Sequence, residues 1–215
     1  MIFRTLLTTA IAVLTLPMLR AQVVNETPVL EIKGIKGEVT ALAISPKEDA
    51  ILVGTTEGAV LYDLEKGKKL HAFPFSEDGG TTVWRVAFNE NGEYVLLIGF
   101  TGKRQVWDTK SGDQEKVLAQ HRWIPTPGEV RAMGLVSDNS TVDRFYQQTE
   151  ASEGDVTARA AANGSVEFVD ADGQVLQTLA FPENKDRHHR APCLILGGRF
   201  YTGTDDGRVL VYELR

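Results

Sequence analysis

The sequence contains one cysteine, Cys193, among its 215 residues, so an internal disulfide is excluded. It also lacks the ligand spacing of a zinc site, the motif around a serine nucleophile elbow and a glycine-rich phosphate loop. The densest group of ligand-type residues is Asp186, His188, His189 and Cys193, but adjacent histidines on a loop rarely point at one metal ion. These absences favour a protein that uses no metal or cofactor, and they weigh against an enzyme.

No strongly basic region occurs in the chain. The 29 acidic residues outnumber the 23 lysines and arginines, which gives a net charge of −6, and the basic residues are scattered among acids. Nucleic acids and anionic membrane surfaces are bound by clustered positive charge. We therefore expect neither of them as a partner.

Long apolar runs are also rare, and the one that bears on targeting and membrane insertion lies at the N-terminus. Residues 5–16 carry no charge, follow Arg4 and end at Pro17, and the small residue Ala21 precedes Gln22. This pattern predicts a signal peptide at residues 1–21, a mature domain at residues 22–215, and export to the periplasm or the cell exterior. The run is short for a bilayer span, so we expect no stable membrane insertion; an uncleaved anchor is the alternative.

The rest of the chain contains a repeated pattern of short strands. An apolar strand at residues 39–44 is followed by a second at 51–54, a turn and a third strand, and the same order recurs from residue 83. Gly54 and Gly99, which end the second strand of each unit, are 45 residues apart, as are Asp63 and Asp108 after the third strand. Repeats of 40–45 residues built from short strands are typical of β-propeller blades.

Each unit carries the same turn residues, which we interpret as structural. A glycine in the two-residue turn before the third strand permits a positive φ, and an acid after that strand forms the next turn. These structural repeat positions are Gly58, Gly102, Gly164 and Gly207 for the glycines, Asp63, Asp108 and Asp170 for the acids, and Trp107 before the second acid.

Counting strands predicts how the repeats close. The last unit ends after its third strand, while residues 29–33 have outer-strand character and no unit of their own. Pairing these two ends removes two exposed sheet edges. We therefore predict an all-β propeller of about four four-stranded blades, with the N-terminal strand completing the last blade. The same pairing between two chains would give an eight-bladed homodimer, so monomer and homodimer both stay open.

The predicted blade boundaries follow from the repeats. They are approximately residues 35–75, 80–120, 127–181, and 188–215 plus 28–33. The third unit is longer than the others, and the polar residues 139–155 supply the extra length. We interpret that stretch as an insertion loop or an extra hairpin on the rim.

These units resemble the WD-repeat β-propeller family from about residue 28 to 215. Trp107–Asp108 is the literal dipeptide of that family, and Ser45–Pro46 matches its turn after the first strand. Relaxed versions of the dipeptide are Tyr62–Asp63, Val169–Asp170 and Tyr212–Glu213. His121 occupies roughly the place of the family's Gly-His histidine, but Gln120 replaces the glycine, and the first unit has no such histidine. A more distant resemblance is to the quinoprotein-type propeller repeat, and it is carried by Gly54 to Gly58 and Gly203 to Gly207.

Two loops between units carry the candidate binding residues. One holds His121, Arg122 and Trp123, followed by a stiffening Pro125, and the other holds Arg187, His188, His189 and Arg190. Tryptophan and arginine frequently anchor protein interfaces. The alternative interpretation is that Trp123 packs between blades and that the basic cluster is a solvated loop.

The sequence thus favours an exported, non-catalytic propeller that acts as an interaction scaffold for a protein partner. Two alternatives stay open. One is a propeller enzyme of quinoprotein-like or lactonase-like type, which needs a metal or cofactor at the axis. The other is a truncated relative of a longer propeller.

Overall fold

The computed structural model of the chain describes residues 22–134, 146–161, 165–180 and 191–215. Within these residues, the regular elements are strands, apart from one short α-helix, α1 (Pro127–Ala132), and a 3-10 turn (Leu118–Gln120). In chain order the strands are β1 (Leu30–Ile32), β2 (Val39–Ile44), β3 (Ala50–Thr55), β4 (Gly58–Asp63), β5 (Lys69–Phe73), β6 (Arg85–Phe88), β7 (Tyr94–Ile98), β8 (Arg104–Asp108), β9 (Gln114–Glu115), β10 (Glu150–Glu153), β11 (Val156–Ala160), β12 (Ser165–Val169), β13 (Val175–Ala180), β14 (Cys193–Leu196), β15 (Arg199–Gly203) and β16 (Val209–Glu213).

The strands form four antiparallel sheets of four strands each, which are the blades of a β-propeller. Blade 1 contains β2 to β5, blade 2 contains β6 to β9, blade 3 contains β10 to β13, and blade 4 contains β14 to β16 with β1 at its edge. Leu30 lies opposite Val211 and Ile32 opposite Val209 within one chain. The predicted four-bladed propeller, completed by its N-terminal strand, is confirmed.

A second N-terminal contact supplements this closure. Val24 forms an isolated bridge with Leu214, and the backbone NH groups of Val23 and Val24 both donate to Oε1 of Gln177, at 2.7 and 2.9 Å. The N-terminal segment therefore joins the edge of blade 4 to the outer strand of blade 3. Both valines are buried.

The apolar second strands and the turn residues explain why each blade forms. Ile51, Leu52 and Val53 of β3 are fully buried because both faces of the sheet are covered. Gly58 has a φ of +104°, and a Cβ there would lie 2.8 Å from the carbonyl oxygen of Phe73, so only glycine fits.

The recurring acids fold the turn that follows the third strand of three blades. Oδ1 of Asp63 accepts a hydrogen bond from the backbone NH of Lys66, and Oδ1 of Asp108 accepts from two such NH groups. Oδ1 of Asp170 likewise accepts from two. These bonds lower the pKa of the Asp108 carboxyl, chiefly through the NH of Ser111. Gly164 lies outside the described residues.

Trp107 is buried between blades 1 and 2. Its ring centroid lies 5.5 Å from that of Phe73 in blade 1. In the part of the chain that the structure describes, its Nε1 has no hydrogen-bond partner. Trp107 therefore contributes through packing and not through a polar network.

Three apolar clusters join neighbouring blades around the ring. One lies between blades 1 and 2, one between blades 4 and 1, and one between blades 3 and 4. In the last, the rings of Phe168 and Phe200 meet edge to face at 5.1 Å. Cys193 is buried in the same cluster, and burial raises the pKa of its thiol to about 12, so the thiolate is scarce at neutral pH.

One prediction about the third unit was wrong. Residues 150–155, the end of the polar stretch read as an insertion, contain β10, which pairs with β11 as the first strand of blade 3. Residues 139–145 lie outside the described part, and residues 146–149 lead into β10. The polarity misled the interpretation because one face of β10 is not packed against a neighbouring blade.

A candidate binding cleft between blades 2 and 3

The junction of blades 2 and 3 differs from the other three. The face of blade 2 turned away from blade 1 carries the apolar side chains of Leu96, Ile98 and Val106. These side chains are covered by Ile124 and Val130, with further packing from Leu118, Trp123 and Met133. The segment that connects the two blades, residues 118–133, thus takes the place that a neighbouring blade occupies elsewhere.

Local hydrogen bonds hold this segment in shape. Thr126 begins α1: its Oγ1 accepts from the backbone NH of Glu129, and Oε2 of Glu129 accepts from the backbone NH of Thr126 at 2.6 Å. Pro127 in the first turn has a φ suited to a helix start. Nη1 of Arg104 donates to the carbonyl oxygen of Pro125 at 2.6 Å and ties the segment to blade 2.

Blade 3 presents a polar face at this junction. Glu150, Arg159, Glu167 and Thr178 lie opposite one another across its four strands. Neighbouring residues of these strands, among them Ala158 and Val166, point to the other side and pack against blade 4. The polar row is therefore turned away from blade 4, and Arg159 and Glu167 form an ion pair at 2.8 Å within it.

Gln148 joins three blades near the axis. Its Oε1 accepts from the backbone NH of Leu42 at 2.8 Å, and its Nε2 donates to the carbonyl oxygen of Leu42 at 2.9 Å. Its own carbonyl oxygen accepts from the backbone NH of Cys193. The side chain of Gln148 therefore links the entry of blade 3 to the first strand of blade 1, and its backbone links it to the first strand of blade 4.

Two cavities meet beside this link. The axial cavity, of about 210 Å³, is lined by residues of β2, by Trp84, Arg85 and Val86, and by Gln147, Gln148 and Glu150. The outer groove, of about 300 Å³, runs along β6 and is lined by residues 85–90, Leu96, Ile98, Trp123, Pro125 and Met133. Arg85 and Val86 line both cavities, which therefore adjoin at β6 and are together called the blade 2–3 cleft below.

The cleft combines an apolar floor with exposed charges. Leu96, Ile98, Trp123 and Met133 supply the apolar surface of the outer groove. Arg85 is exposed at the point shared by both cavities. In the axial cavity, Trp84 is held edge to face against Tyr146 at 5.0 Å. Such a surface can hold an extended chain through apolar and ionic contacts together.

Comparisons with known proteins give structural likeness only. No protein-family model and no curated protein matches the chain. Its structure is similar to that of the RRP9 WD40 repeats (TM-score 0.40, 16% identity, 90% of this chain and 55% of that one) and to U3-55K (TM-score 0.38, 16% identity, 86% and 51%). The computationally designed Ika4 protein also matches (TM-score 0.33, 18% identity, 86% and 96%). The chain spans about half the length of the first two.

The structure brings only part of the predicted binding set to the cleft. Trp123 lines the outer groove and is half-buried. His121 lies behind it, with its ring 4.9 Å from that of Tyr94 and 6.3 Å from that of Trp123. Arg122 is exposed and does not line the cleft. The four predicted residues Arg187, His188, His189 and Arg190 lie outside the described residues.

Sequence reasoning missed Arg85, Glu150 and Met133. A signal for Arg85 was available, because in the aligned repeats it occupies the first-strand position that Ala41 holds in the first unit. A charged side chain at a position that is otherwise small and apolar marks a departure from the repeat. Glu150 and Met133 carried no such signal, since their units are the least regular.

Among the described residues, no helix is long and apolar enough to cross a bilayer. In the same residues, no group of three or more histidine, cysteine, aspartate and glutamate side chains is arranged to hold a metal ion.

Proposed function

We propose that this propeller is a protein-binding module that holds an extended segment of a partner protein in the blade 2–3 cleft. The observation that carries the proposal is that Trp123 and Met133, two partly buried apolar side chains, line a groove along β6 in the part of the chain that the structure describes. At the other junctions, apolar side chains of neighbouring blades pack directly on each other. Aromatic and arginine side chains in such grooves commonly supply most of the binding free energy.

Selection of peptides from a displayed random library on the immobilised protein tests this function. We expect selected peptides to bind Trp123→Ala at least tenfold more weakly, because the indole offers a large apolar contact. The control is Val117→Ala, since Val117 is also a large exposed apolar side chain but lies outside the cleft.

Folding must be separated from binding in this experiment, because Trp123 also packs against blade 2. Met133→Ala is a second variant in the groove, and the thermal midpoint of each variant is measured by circular dichroism. Loss of binding in a variant that keeps its midpoint supports the proposal. Peptides that bind every variant equally, or a library that yields no specific peptide, would overturn it.

We also propose that the module is exported after removal of residues 1–21. The buried positions of Val23 and Val24 support this, because both residues lie on the mature side of the predicted cleavage site and cleavage would leave their packing intact. Protein recovered from native cells should begin at or near Gln22 by intact-mass measurement. A full-length mass found in the membrane fraction would contradict export and favour an uncleaved anchor.

A further inference from the structure

Three charged side chains of the blade 2–3 cleft follow one another in a fixed order. Arg85 lines both the axial cavity and the outer groove, Glu150 lines only the axial cavity, and Glu90 lines only the outer groove. The charges along the cleft are therefore negative, positive and negative. A bound segment that complements these charges carries positive, negative and positive side chains in that order.

These charges are free to meet a ligand. Arg85, Glu90 and Glu150 are exposed, and no side chain in the described residues forms an ion pair or hydrogen bond with any of them. Other charged groups nearby are satisfied: Arg104 binds the carbonyl oxygen of Pro125, and Arg159 pairs with Glu167.

The strand itself sets the spacing of the complementary groups. Arg85 and Ala87 lie on one face of β6, and Ala87 is opposite Leu96 on the groove floor. Glu90 lies in the turn after β6, five residues beyond Arg85, so the two backbone positions are at most about 17 Å apart at about 3.3 Å per residue. The long side chains of Arg85 and Glu90 shorten the distance between their charges, and an extended peptide places residues i, i+2 and i+4 on one side over about 13 Å.

Resting on the proposed function, we infer that the cleft selects partner segments in which an acidic residue, a bulky apolar residue and a basic residue occur at positions i, i+2 and i+4. The acid meets Arg85, the apolar side chain enters the groove beside Trp123 and Met133, and the base meets Glu90. The partner segment fits the cleft in either chain direction, because the order is set by side-chain charges and not by backbone pairing. On the axial side of Arg85, Glu150 adds a negative charge and so continues the alternation of charge along the cleft.

Charge governs selection more than affinity at such a site. Ion pairs in contact with water add little binding strength, and they are weakened by salt. Opposed like charges, in contrast, reject the wrong segment effectively. The apolar contact is therefore expected to hold the peptide, and the charge order is expected to determine which peptide is held.

Four capped nine-residue peptides test the inference by fluorescence anisotropy. Each carries Leu at i+2 in a Gly/Ser background, with Asp and Lys, Lys and Asp, two Lys or two Asp at i and i+4. On the unmodified protein, both mixed-charge peptides should bind at least about fivefold more tightly than either like-charged peptide. Raising the salt concentration to 1 M should reduce that difference.

Reversal of the central charge should change the ranking. Arg85→Glu makes all three charges negative, so the two-lysine peptide should become the tightest binder. The matched control is Arg122→Glu, which makes the same charge change on an exposed arginine outside the cleft and should leave the ranking unchanged. If Arg85→Glu lowers the thermal midpoint, Arg85→Gln serves instead and should abolish the discrimination.

The outcomes separate this inference from the function on which it rests. Two outcomes overturn the inference and leave the proposed function standing. One is that the binding of library peptides depends on Trp123 but their sequences show no charge order. The other is that the four peptides bind equally. An equal change of ranking in Arg122→Glu also overturns it, because the charge effect would then not belong to the cleft. The absence of any peptide whose binding depends on Trp123 or Met133 overturns both.

Discussion

A chain that lacks residues 23–34 is expected to lose its cooperative thermal unfolding transition. The deletion removes β1 and the Val24 bridge, and with them three buried side chains, Val23, Val24 and Ile32. Burial of an aliphatic side chain of this size contributes about 1.5–3 kcal/mol, so the loss is roughly 5–9 kcal/mol. That loss is comparable with the whole free energy of unfolding of a typical domain, about 5–15 kcal/mol.

The same deletion exposes β16 as an unpaired sheet edge. Its residues Val209 to Tyr212 are buried, so the new edge is apolar and is expected to promote aggregation. Circular dichroism melting and light scattering measure the two consequences. A deletion variant that stays soluble and melts at the original midpoint would show that the closure between β1 and β16 contributes nothing.

Two point variants provide a matched test of this closure. Val24→Asp places a charge at a side chain that is 0% exposed, whereas Val29→Asp makes the same change at one that is 50% exposed. The first should destabilise the fold severely and the second only slightly, because a buried unpaired charge is costly and an exposed one is not. Similar midpoints for the two variants would contradict the role assigned to Val24.

Gln148→Ala is expected to lower the thermal midpoint by about 5–15 °C. The change leaves the backbone NH and carbonyl oxygen of Leu42 without their partners. Each buried polar group that loses its hydrogen bond costs about 1–3 kcal/mol. Water that enters the adjoining cavity replaces part of the loss, so we expect about 2–4 kcal/mol, and about 2–4 °C per kcal/mol for a domain of this size.

The neighbouring glutamine is the control for this variant. Gln147 is exposed, and within the described residues its amide donates to the carbonyl oxygen of Met133 alone. Gln147→Ala should therefore change the midpoint by no more than about 2 °C. If the two alanine variants melt together, Gln148 does not join the blades in the way that its hydrogen bonds indicate.

The blades could be predicted from the sequence because the patterns that indicate them are local. The apolar run of β3, the glycine at residue 58 and the acid at residue 63 each act within a few residues, and they recur in the next unit. The pairing of β1 with β16 is distant in sequence, yet it was predictable because a propeller with unpaired strands at both ends has only one way to close within a chain.

Only part of the candidate cleft could be predicted from the sequence. Trp123 stood out as an aromatic residue on a loop stiffened by proline, and it does line the outer groove. Arg85 and Glu150 lie 65 positions apart in the chain, and they line one cavity because blades 2 and 3 do not pack face to face. Local patterns do not report whether two blades are in contact.

The sequence by itself determined the repeat length, the number of blades, the turn residues and the strand that closes the ring, because each depends on backbone preferences or on the pairing of all strands. Only the tertiary structure decided that residues 118–133 cover blade 2, that β10 is a blade strand despite its polar residues, and that Gln148 joins blades 1, 3 and 4. The physical reason is that these features depend on which surfaces remain uncovered after the blades assemble. A side chain such as Glu150 or Leu96 has the same local preferences whether its face meets another blade, a connecting segment or water.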